Sequence, residues 1–232
     1  MERAVFFDVG NTLLRPDPSV AEVCREVLAE AGHERAVPDI ELHMPAVDEY
    51  YEDAYSTDDT FWTDEERTAG VWLGMYSLLF RKLGIEEEAE ELASRVYHEF
   101  GDAGRWAPYD DVIPAFERLR DRGLLLGVIS NWDRRLGGIL AGLGLSRMLD
   151  VVVSSACVGL HKPDPRIFDY ACDALGVAPA EAVHVGDHHY ADILGASAVG
   201  IRPVLIDRIG AHEPGAALTT LDRLESELGW GT

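Results

Sequence analysis

The chain has 232 residues, of which 47% are hydrophobic and 27% charged, as in an ordinary globular protein with a full core. Its 42 acidic and 20 basic residues give a formal net charge of -22, a surface that repels nucleic acid and anionic lipid. Three scattered cysteines match neither a disulfide framework nor a zinc site. No apolar run reaches the roughly 20 residues of a membrane span, and the first apolar run starts too early for a signal peptide. We therefore expect a cytoplasmic protein that binds neither nucleic acid nor membrane.

The first segment predicts a buried strand followed by a turn. Residues 4–7 are apolar and β-prone, and Asp8, Gly10 and Asn11 follow them as turn-forming residues. From about Pro16 to Gly101 the apolar residues recur at helical spacing, and no strand is expected there. The helices predicted in this region cover residues 20–30, 47–55, 72–83 and 86–100.

Strands and helices alternate in the second half of the chain. The predicted helices cover residues 115–122, 135–143, 165–175 and 191–199, and the predicted strands cover residues 124–129, 151–153, 182–185 and 203–206. This alternation implies a parallel sheet with helices on both faces. The sequence therefore predicts an α/β core of residues 1–15 and 103–232, interrupted by an all-helical cap domain of residues 16–102.

Polar side chains follow the predicted strands where each of them ends. Asp8 follows the first strand, Ser130 and Asn131 follow the second, Lys162 lies in the loop beyond the third, and Asp187 comes after the fourth. The carboxyl ends of parallel strands meet at one edge of a sheet, where ligands bind. Each residue alone also fits an ordinary turn. Together they provide a carboxylate nucleophile, donors for oxyanions, a cation and a second carboxylate for a metal.

Two neighbouring features of the sequence bear on the chemistry. Lys162 is one of only two lysines, with Lys82, and a compact ammonium can lie between carboxylates and a phosphate. Asp192 either complements a helix dipole or joins the site. His188 and His189 are adjacent, unlike the i, i+4 spacing of zinc ligands on a helix, so a zinc site is not expected.

Four segments resemble the motifs of the haloacid dehalogenase-like superfamily, in the order and spacing typical of that family. They are Asp8 to Leu13, Val128 to Asn131, Lys162 to Pro165, and Gly186 to Asp192. The resemblance implies a Rossmann-like core with a helical cap inserted after the first motif. It also implies a Mg²⁺-dependent phosphatase that acts on a small phosphorylated metabolite through an aspartyl-phosphate intermediate.

The resemblance assigns a role to each matching residue. The implied catalytic residues are Asp8 as the nucleophile and Lys162 as the charge stabiliser. The implied substrate-binding residues are Thr12, Ser130 and Asn131. The implied metal ligands are Asp8, Gly10 through its carbonyl, Asp187 and Asp192, the last in direct or water-mediated contact.

One residue departs from the pattern of family phosphatases, which usually carry a second aspartate two positions after the nucleophile. This chain has Gly10 there and lacks the general acid and base, a function that contributes about 10² to 10⁴ in rate. Three alternatives follow: a 2-haloacid dehalogenase, for which Arg35 is the candidate carboxylate binder, a phosphonatase using Lys82, and a binding or regulatory protein without turnover. Retention of Asp187 favours the magnesium-dependent phosphatase.

The sequence determines neither the substrate nor the oligomeric state. Four aromatic residues of the cap region are candidates for the pocket lining, and we expect them to belong to the core instead. They are Tyr50, Tyr51, Trp62 and Trp72.

Overall fold

The computed structural model describes residues 2–213 and 215–230. Its main sheet has five parallel strands in the order β5-β4-β1-β6-β7, and β2 pairs with β3 in a separate antiparallel ribbon. The strands are β1 (Ala4–Phe7), β2 (Leu14–Pro16), β3 (Trp106–Pro108), β4 (Leu125–Ser130), β5 (Val151–Ser154), β6 (Ala182–Gly186) and β7 (Arg202–Leu205).

Helices cover both faces of the sheet and form the inserted region. They are α1 (Val20–Glu30), α2 (Val37–Glu41), α3 (Met44–Thr57), α4 (Glu65–Lys82), α5 (Ala89–Glu99), α6 (Val112–Asp121), α7 (Leu136–Gly142), α8 (Ser155–Val158), α9 (Pro165–Leu175), α10 (Gly195–Val199) and α11 (Leu224–Glu227). A 3₁₀ turn at Asp59–Thr63 precedes α4, and a π-helical turn at His189–Leu194 precedes α10. None of the described helices is long and apolar enough to cross a bilayer.

The central strand β1 is buried on both faces because it lies between β4 and β6. Val5 and Phe7 belong to the apolar core on one face, and Ala4 and Phe6 belong to the core on the other. Since successive strand residues point to opposite faces, a strand inside a parallel sheet must be apolar throughout. The predicted α/β fold with a helix-covered parallel sheet is thus confirmed.

The helices α1 to α5 pack around an apolar core of their own, which includes Leu28, Phe80 and Leu92. A capping box stabilises the start of α1, the first helix of this bundle. Ser19 N–H donates to Glu22 Oε2 at 2.9 Å, and Glu22 N–H donates to Ser19 Oγ at 3.3 Å. The inserted region is therefore helical, as the spacing of its apolar residues predicts.

The expectation that no strand occurs from Pro16 onward is wrong by one residue, because Pro16 ends β2. This strand pairs with β3 in the segment that follows the helical region. Each strand has only three residues and contains a proline, so neither could show a two-residue period. The ribbon joins the two connections between the core and the inserted helices.

Candidate active site

The carboxyl ends of three strands bring the predicted site residues together. Asp8 follows β1, Ser130 ends β4, and Asp187 follows β6 directly. The Asp8 amide donates to the carbonyl of Val185 at 2.8 Å, which extends the β1–β6 pairing by one residue. Lys162 reaches the same place from the loop between α8 and α9.

The Asp8 carboxylate is buried and held by two donors. Its Oδ1 accepts a hydrogen bond from Ser130 Oγ at 3.0 Å and one from Lys162 Nζ at 2.6 Å. Burial raises the pKa of Asp8, and the nearby Asp192 carboxylate adds to the shift, although Lys162 and Ser130 oppose it. The hydroxyl and the ammonium thus fix the orientation of the candidate nucleophile.

Asp192 is the second partner of Lys162. Its Oδ1 lies 2.6 Å from Lys162 Nζ and 2.8 Å from His184 Nε2, and its Oδ2 accepts from the His188 amide at 3.1 Å. Burial opposes ionisation of Asp192, but the Lys162 charge and the His184 hydrogen bond together hold its pKa below the usual range. Its structural role is to orient the ammonium and the loop after β6. Sequence reasoning missed His184, which looked like an ordinary residue of a buried strand.

Three carboxylates form the candidate metal site. One oxygen from each of Asp8, Asp187 and Asp192 lies within 4.8 Å of the other two. Burial, together with the charges of Asp8 and Asp192, raises the pKa of Asp187 to about 8. A single ammonium, that of Lys162, does not balance the three carboxylates when all of them are ionised. Because every donor is an oxygen, the set fits a hard cation such as Mg²⁺.

Asn131 has a role that its sequence position did not reveal. Its side-chain Nδ2 donates to the carbonyl of Lys162 at 2.9 Å, and its Oδ1 accepts from the Lys162 amide at 2.7 Å. This paired contact fixes the backbone of the loop that carries the lysine. Asn131 also lines the cavity, as Ser130 does.

The loop after Asp8 contains the remaining predicted residues. Gly10 lines the cavity, and a Cβ added there would meet Trp132 Cζ3 at an ordinary 3.7 Å. Asn11 has a φ of 50°, a left-handed conformation that asparagine tolerates better than most residues. Thr12, predicted to bind substrate, is fully buried and absent from the described lining of the cavity. Its carbonyl instead accepts from Arg208 Nη2 at 3.1 Å.

Asp8, Lys162 and Asp187 line a cavity of about 430 Å³. Tyr51, Trp62 and Trp72 line it, so the expectation that these three belong only to the core is wrong. An aromatic side chain on the wall of a closed cavity is buried much as a core residue is, and the sequence pattern is the same for both. Tyr50 is 38% exposed and does not line the cavity.

The cap residues considered for other chemistries lie elsewhere. Arg35 donates to the carbonyl of Leu83 at 3.1 Å, and Lys82 is exposed at the end of α4. Neither is among the described residues that line the cavity. The arginine found there is Arg135, which comes from the core and not from the cap.

Comparisons with known proteins agree with this architecture. The chain is 33% identical over 240 residues to haloacid dehalogenase-like hydrolase domain-containing protein 3 of Danio rerio, which covers 97% of this chain and 96% of the relative. It is 33% identical to the glyceraldehyde 3-phosphate phosphatase of Methanopyrus kandleri, over 90% of this chain and 85% of the relative. A crystal structure of a 2-haloacid dehalogenase from Pseudomonas syringae pv. Tomato DC3000 superposes with a TM-score of 0.66 and 26% identity, covering 100% of both chains. The family model for haloacid dehalogenase-like hydrolases matches residues 2–200, and the chain belongs to this family.

Proposed function

We propose that the protein is a Mg²⁺-dependent phosphatase that acts on a small phosphorylated molecule through an aspartyl-phosphate at Asp8. The observation that carries the proposal is the gathering of Asp8, Asp187 and Asp192 within 4.8 Å, with one ammonium among them. A carboxylate attacks an anionic phosphate only where positive charge offsets their repulsion. The excess negative charge at this site creates the need for a divalent cation.

Each residue of the site has its own role in phosphoryl transfer. Asp8 attacks phosphorus with its orientation fixed by Ser130 and Lys162. The Ser130 hydroxyl, the Asn131 amide and the Lys162 ammonium stabilise the phosphate oxygens where charge develops. Asp192 keeps Lys162 in place. These groups are already in position before the substrate binds, so little reorganisation is needed in the transition state.

A cation at this site would be held by the Asp8 and Asp187 carboxylates and the Gly10 carbonyl. Asp192 would contribute through water or through Lys162, because its oxygens already accept three hydrogen bonds. When bound, Mg²⁺ would neutralise charge on the phosphate and on the carboxylates. The similarity to a glyceraldehyde 3-phosphate phosphatase supports a small phosphorylated substrate.

A 2-haloacid dehalogenase is the second candidate, and Gly10 favours it, as does the similarity to a dehalogenase structure. Asp187 argues against it, since a metal-free reaction gives no reason to place this half-buried carboxylate beside Asp8. The absence of Arg35 from the described cavity lining removes the cap arginine considered for a substrate carboxylate. Chloride release from a 2-haloacid in the presence of EDTA would identify a dehalogenase.

The other two alternatives have weaker support. The exposed position of Lys82 leaves a phosphonatase without a cap lysine in the described part of the cavity. A binding or regulatory role rests on Gly10 alone. We further infer that residues 16–102 act as the cap over a core of residues 1–15 and 103–232, and that the protein works in the cytoplasm, where its free cysteines stay reduced.

Beryllofluoride with Mg²⁺ tests the proposal, because it mimics a phosphorylated aspartate. We expect it to raise the melting temperature of the wild-type protein but not that of Asp8→Asn. Asp121→Asn, which changes an exposed carboxylate at the end of α6, serves as the control and should respond as the wild type does. Equal responses of wild type and Asp8→Asn would contradict the phosphatase function.

A further inference from the structure

The cavity beyond the catalytic carboxylates has aromatic walls. On one side, Tyr51 stacks on Trp72 with ring centroids 6.1 Å apart, and Trp62 meets Trp72 edge-on at 6.1 Å. On another, Trp106 and Trp132 are in edge contact at 5.0 Å. All five line the cavity. Each ring is held by another, so the walls keep their shape without a ligand.

Away from the catalytic cluster, the described lining of the same cavity is mostly aromatic, and its polar groups are mainly the hydroxyls of Tyr51, Tyr55, Tyr76 and Tyr97. Apart from the catalytic cluster and His188, the charged side chains of its described lining are Glu52 and Arg135. Arg135 already binds the Asp133 carboxylate, with Nη2 2.6 Å from Oδ2. A sugar or amino-acid phosphate bound here would place most of its hydroxyl or ammonium groups against these aromatic walls, which opposes binding. The volume of about 430 Å³ also exceeds the needs of a three-carbon ester.

Tyr55 lies where the walls meet the catalytic cluster. Its ring centroid is 5.5 Å from that of His188, and its hydroxyl is buried without a hydrogen-bond partner among the described residues. Trp62 Nε1 is likewise buried beside Tyr51 without a well-formed hydrogen bond. Buried donors left unpaired indicate places where a ligand supplies the acceptor.

Gly10 adds an independent constraint on the leaving group. With no carboxylic acid at this position, the departing oxygen must leave as an anion or take its proton from water. A phenol has a pKa of about 10, far below that of an aliphatic alcohol, so its anion leaves much more readily. The missing acid and the aromatic walls both point to the same kind of ester.

We propose that the cavity binds phosphate monoesters of aromatic hydroxyl groups, with the ring between the walls formed by Trp72 and Trp106 and the ester oxygen near the Tyr55 hydroxyl. This inference rests on the phosphatase function proposed above and names its substrate class. A polar atom on the far edge of the ring would accept from Trp62 Nε1.

The reaction has two steps, transfer of the phosphoryl group to Asp8 and hydrolysis of the acyl phosphate. An Asp8 oxygen bonds to phosphorus while the bond from phosphorus to the aryl oxygen breaks, and the electron pair stays on the phenolate. The phenolate accepts a hydrogen bond from Tyr55 and takes its proton from water. Water then attacks the phosphorus of the acyl phosphate, which releases inorganic phosphate, restores the Asp8 carboxylate and gives a proton to solvent.

A panel of four phosphates with Mg²⁺ separates ring recognition from leaving-group effects. The panel comprises 2-naphthyl phosphate, 2-(2-naphthyl)ethyl phosphate, acetyl phosphate and glycerol 3-phosphate. We expect kcat/KM for 2-naphthyl phosphate to exceed that for glycerol 3-phosphate by about 100-fold or more. The naphthylethyl ester should share the low KM but have a low kcat, and acetyl phosphate should have a high KM.

Two cavity variants and a control complete the test. Trp72→Leu should raise KM for 2-naphthyl phosphate about tenfold, and Tyr55→Phe should lower kcat more than it changes KM. Tyr170→Leu changes an aromatic residue that is 50% exposed outside the described cavity lining, and it should match the wild type.

The outcomes separate the two proposals. Equal kcat/KM for glycerol 3-phosphate and 2-naphthyl phosphate would overturn the substrate class while leaving the phosphatase function intact. Hydrolysis of none of the four compounds, with no phosphorylated enzyme, would overturn both.

Discussion

A Cβ atom on Gly186 would lie 2.2 Å from Cγ of Asp192, so the Asp192 carboxylate fills the space that a larger residue at position 186 would need. Gly186 is the last residue of β6, and Asp187 follows it. Because Gly186 has no Cβ, the end of β6 lies against the Asp192 carboxylate, which accepts a hydrogen bond from Lys162 Nζ at 2.6 Å. At this position glycine is required by a neighbouring side chain.

Gly186→Ala should therefore displace Asp192 and disturb Lys162. We expect hydrolysis of p-nitrophenyl phosphate to fall about 100-fold or more and the free energy of unfolding to fall by about 1–3 kcal/mol. Gly138→Ala in α7 is the matched control, because an added Cβ there meets no atom within 4 Å. It should keep full activity and gain up to about 1 kcal/mol of stability. Wild-type rates in Gly186→Ala would show that Asp192 has room to move.

The raised pKa of Asp187 predicts how pH affects the metal-free protein. Burial and the neighbouring carboxylates raise this pKa to about 8, against about 3.9 for an unfolded aspartate. The folded state therefore holds the proton more tightly than the unfolded state between these values. Stability without Mg²⁺ should fall as pH rises through this window. Since the metal needs the ionised carboxylate, stabilisation by Mg²⁺ should grow from pH 6 to pH 8.

Thermal unfolding between pH 6 and pH 8, with EDTA or with Mg²⁺, measures both trends. Asp187→Asn should flatten the fall in stability without metal and remove most of the protection by Mg²⁺. A Mg²⁺ effect that is independent of pH, or one that survives in Asp187→Asn, would place the cation elsewhere.

The sequence predicted which side chains meet at this edge of the sheet, because strand topology sets their positions. Asp8 and Asp187 directly follow parallel strands and Ser130 ends one, and the carboxyl ends of such strands meet at one edge of a sheet. The roles of other residues depend on long-range contacts that no local pattern records. His184 looked like an ordinary strand residue until Asp192, eight positions later, came to lie beside its Nε2. Trp62 and Trp72 could not be placed on a cavity wall because a wall and a core require the same apolar surface.

Arg135 links the core to the inserted helices. Its guanidinium carbon lies 3.6 Å from the centre of the Tyr97 ring, its Nη1 donates to the Tyr97 carbonyl, and its Nε is 2.9 Å from Asp133 Oδ1. Lysine cannot reproduce this planar set of contacts. Arg135→Lys should lower the free energy of unfolding by about 1–3 kcal/mol and speed hydrogen exchange in α5.

The neighbouring residue provides the control for this prediction. Arg134 has a side chain that is 77% exposed and pairs with the partly exposed Glu65. Arg134→Lys should change stability by no more than about 0.5 kcal/mol. If the two variants are equally stable, the contact between Arg135 and Tyr97 does not hold the helices to the core.

Gly10→Asp should restore the acid and base that the site lacks. The nearest atom to an added Cβ is Trp132 Cζ3 at 3.7 Å, so the backbone accepts a side chain here. We expect steady-state hydrolysis of p-nitrophenyl phosphate to rise by about tenfold or more, because water attack on the acyl phosphate gains a general base. Gly10→Asn has nearly the same shape without a titratable group and should give no gain. Equal rates in the two variants would mean that proton transfer does not limit turnover.

Direct detection of a phosphoryl group on Asp8 tests whether the reaction passes through an aspartyl-phosphate. The wild-type protein with Mg²⁺ would be mixed with p-nitrophenyl phosphate, quenched in acid during the first turnover, and measured by intact and peptide mass spectrometry. We expect one phosphoryl group on the peptide that contains Asp8, removable by hydroxylamine and absent from Asp8→Asn. Release of p-nitrophenol without this adduct, or an adduct on another residue, would contradict this expectation.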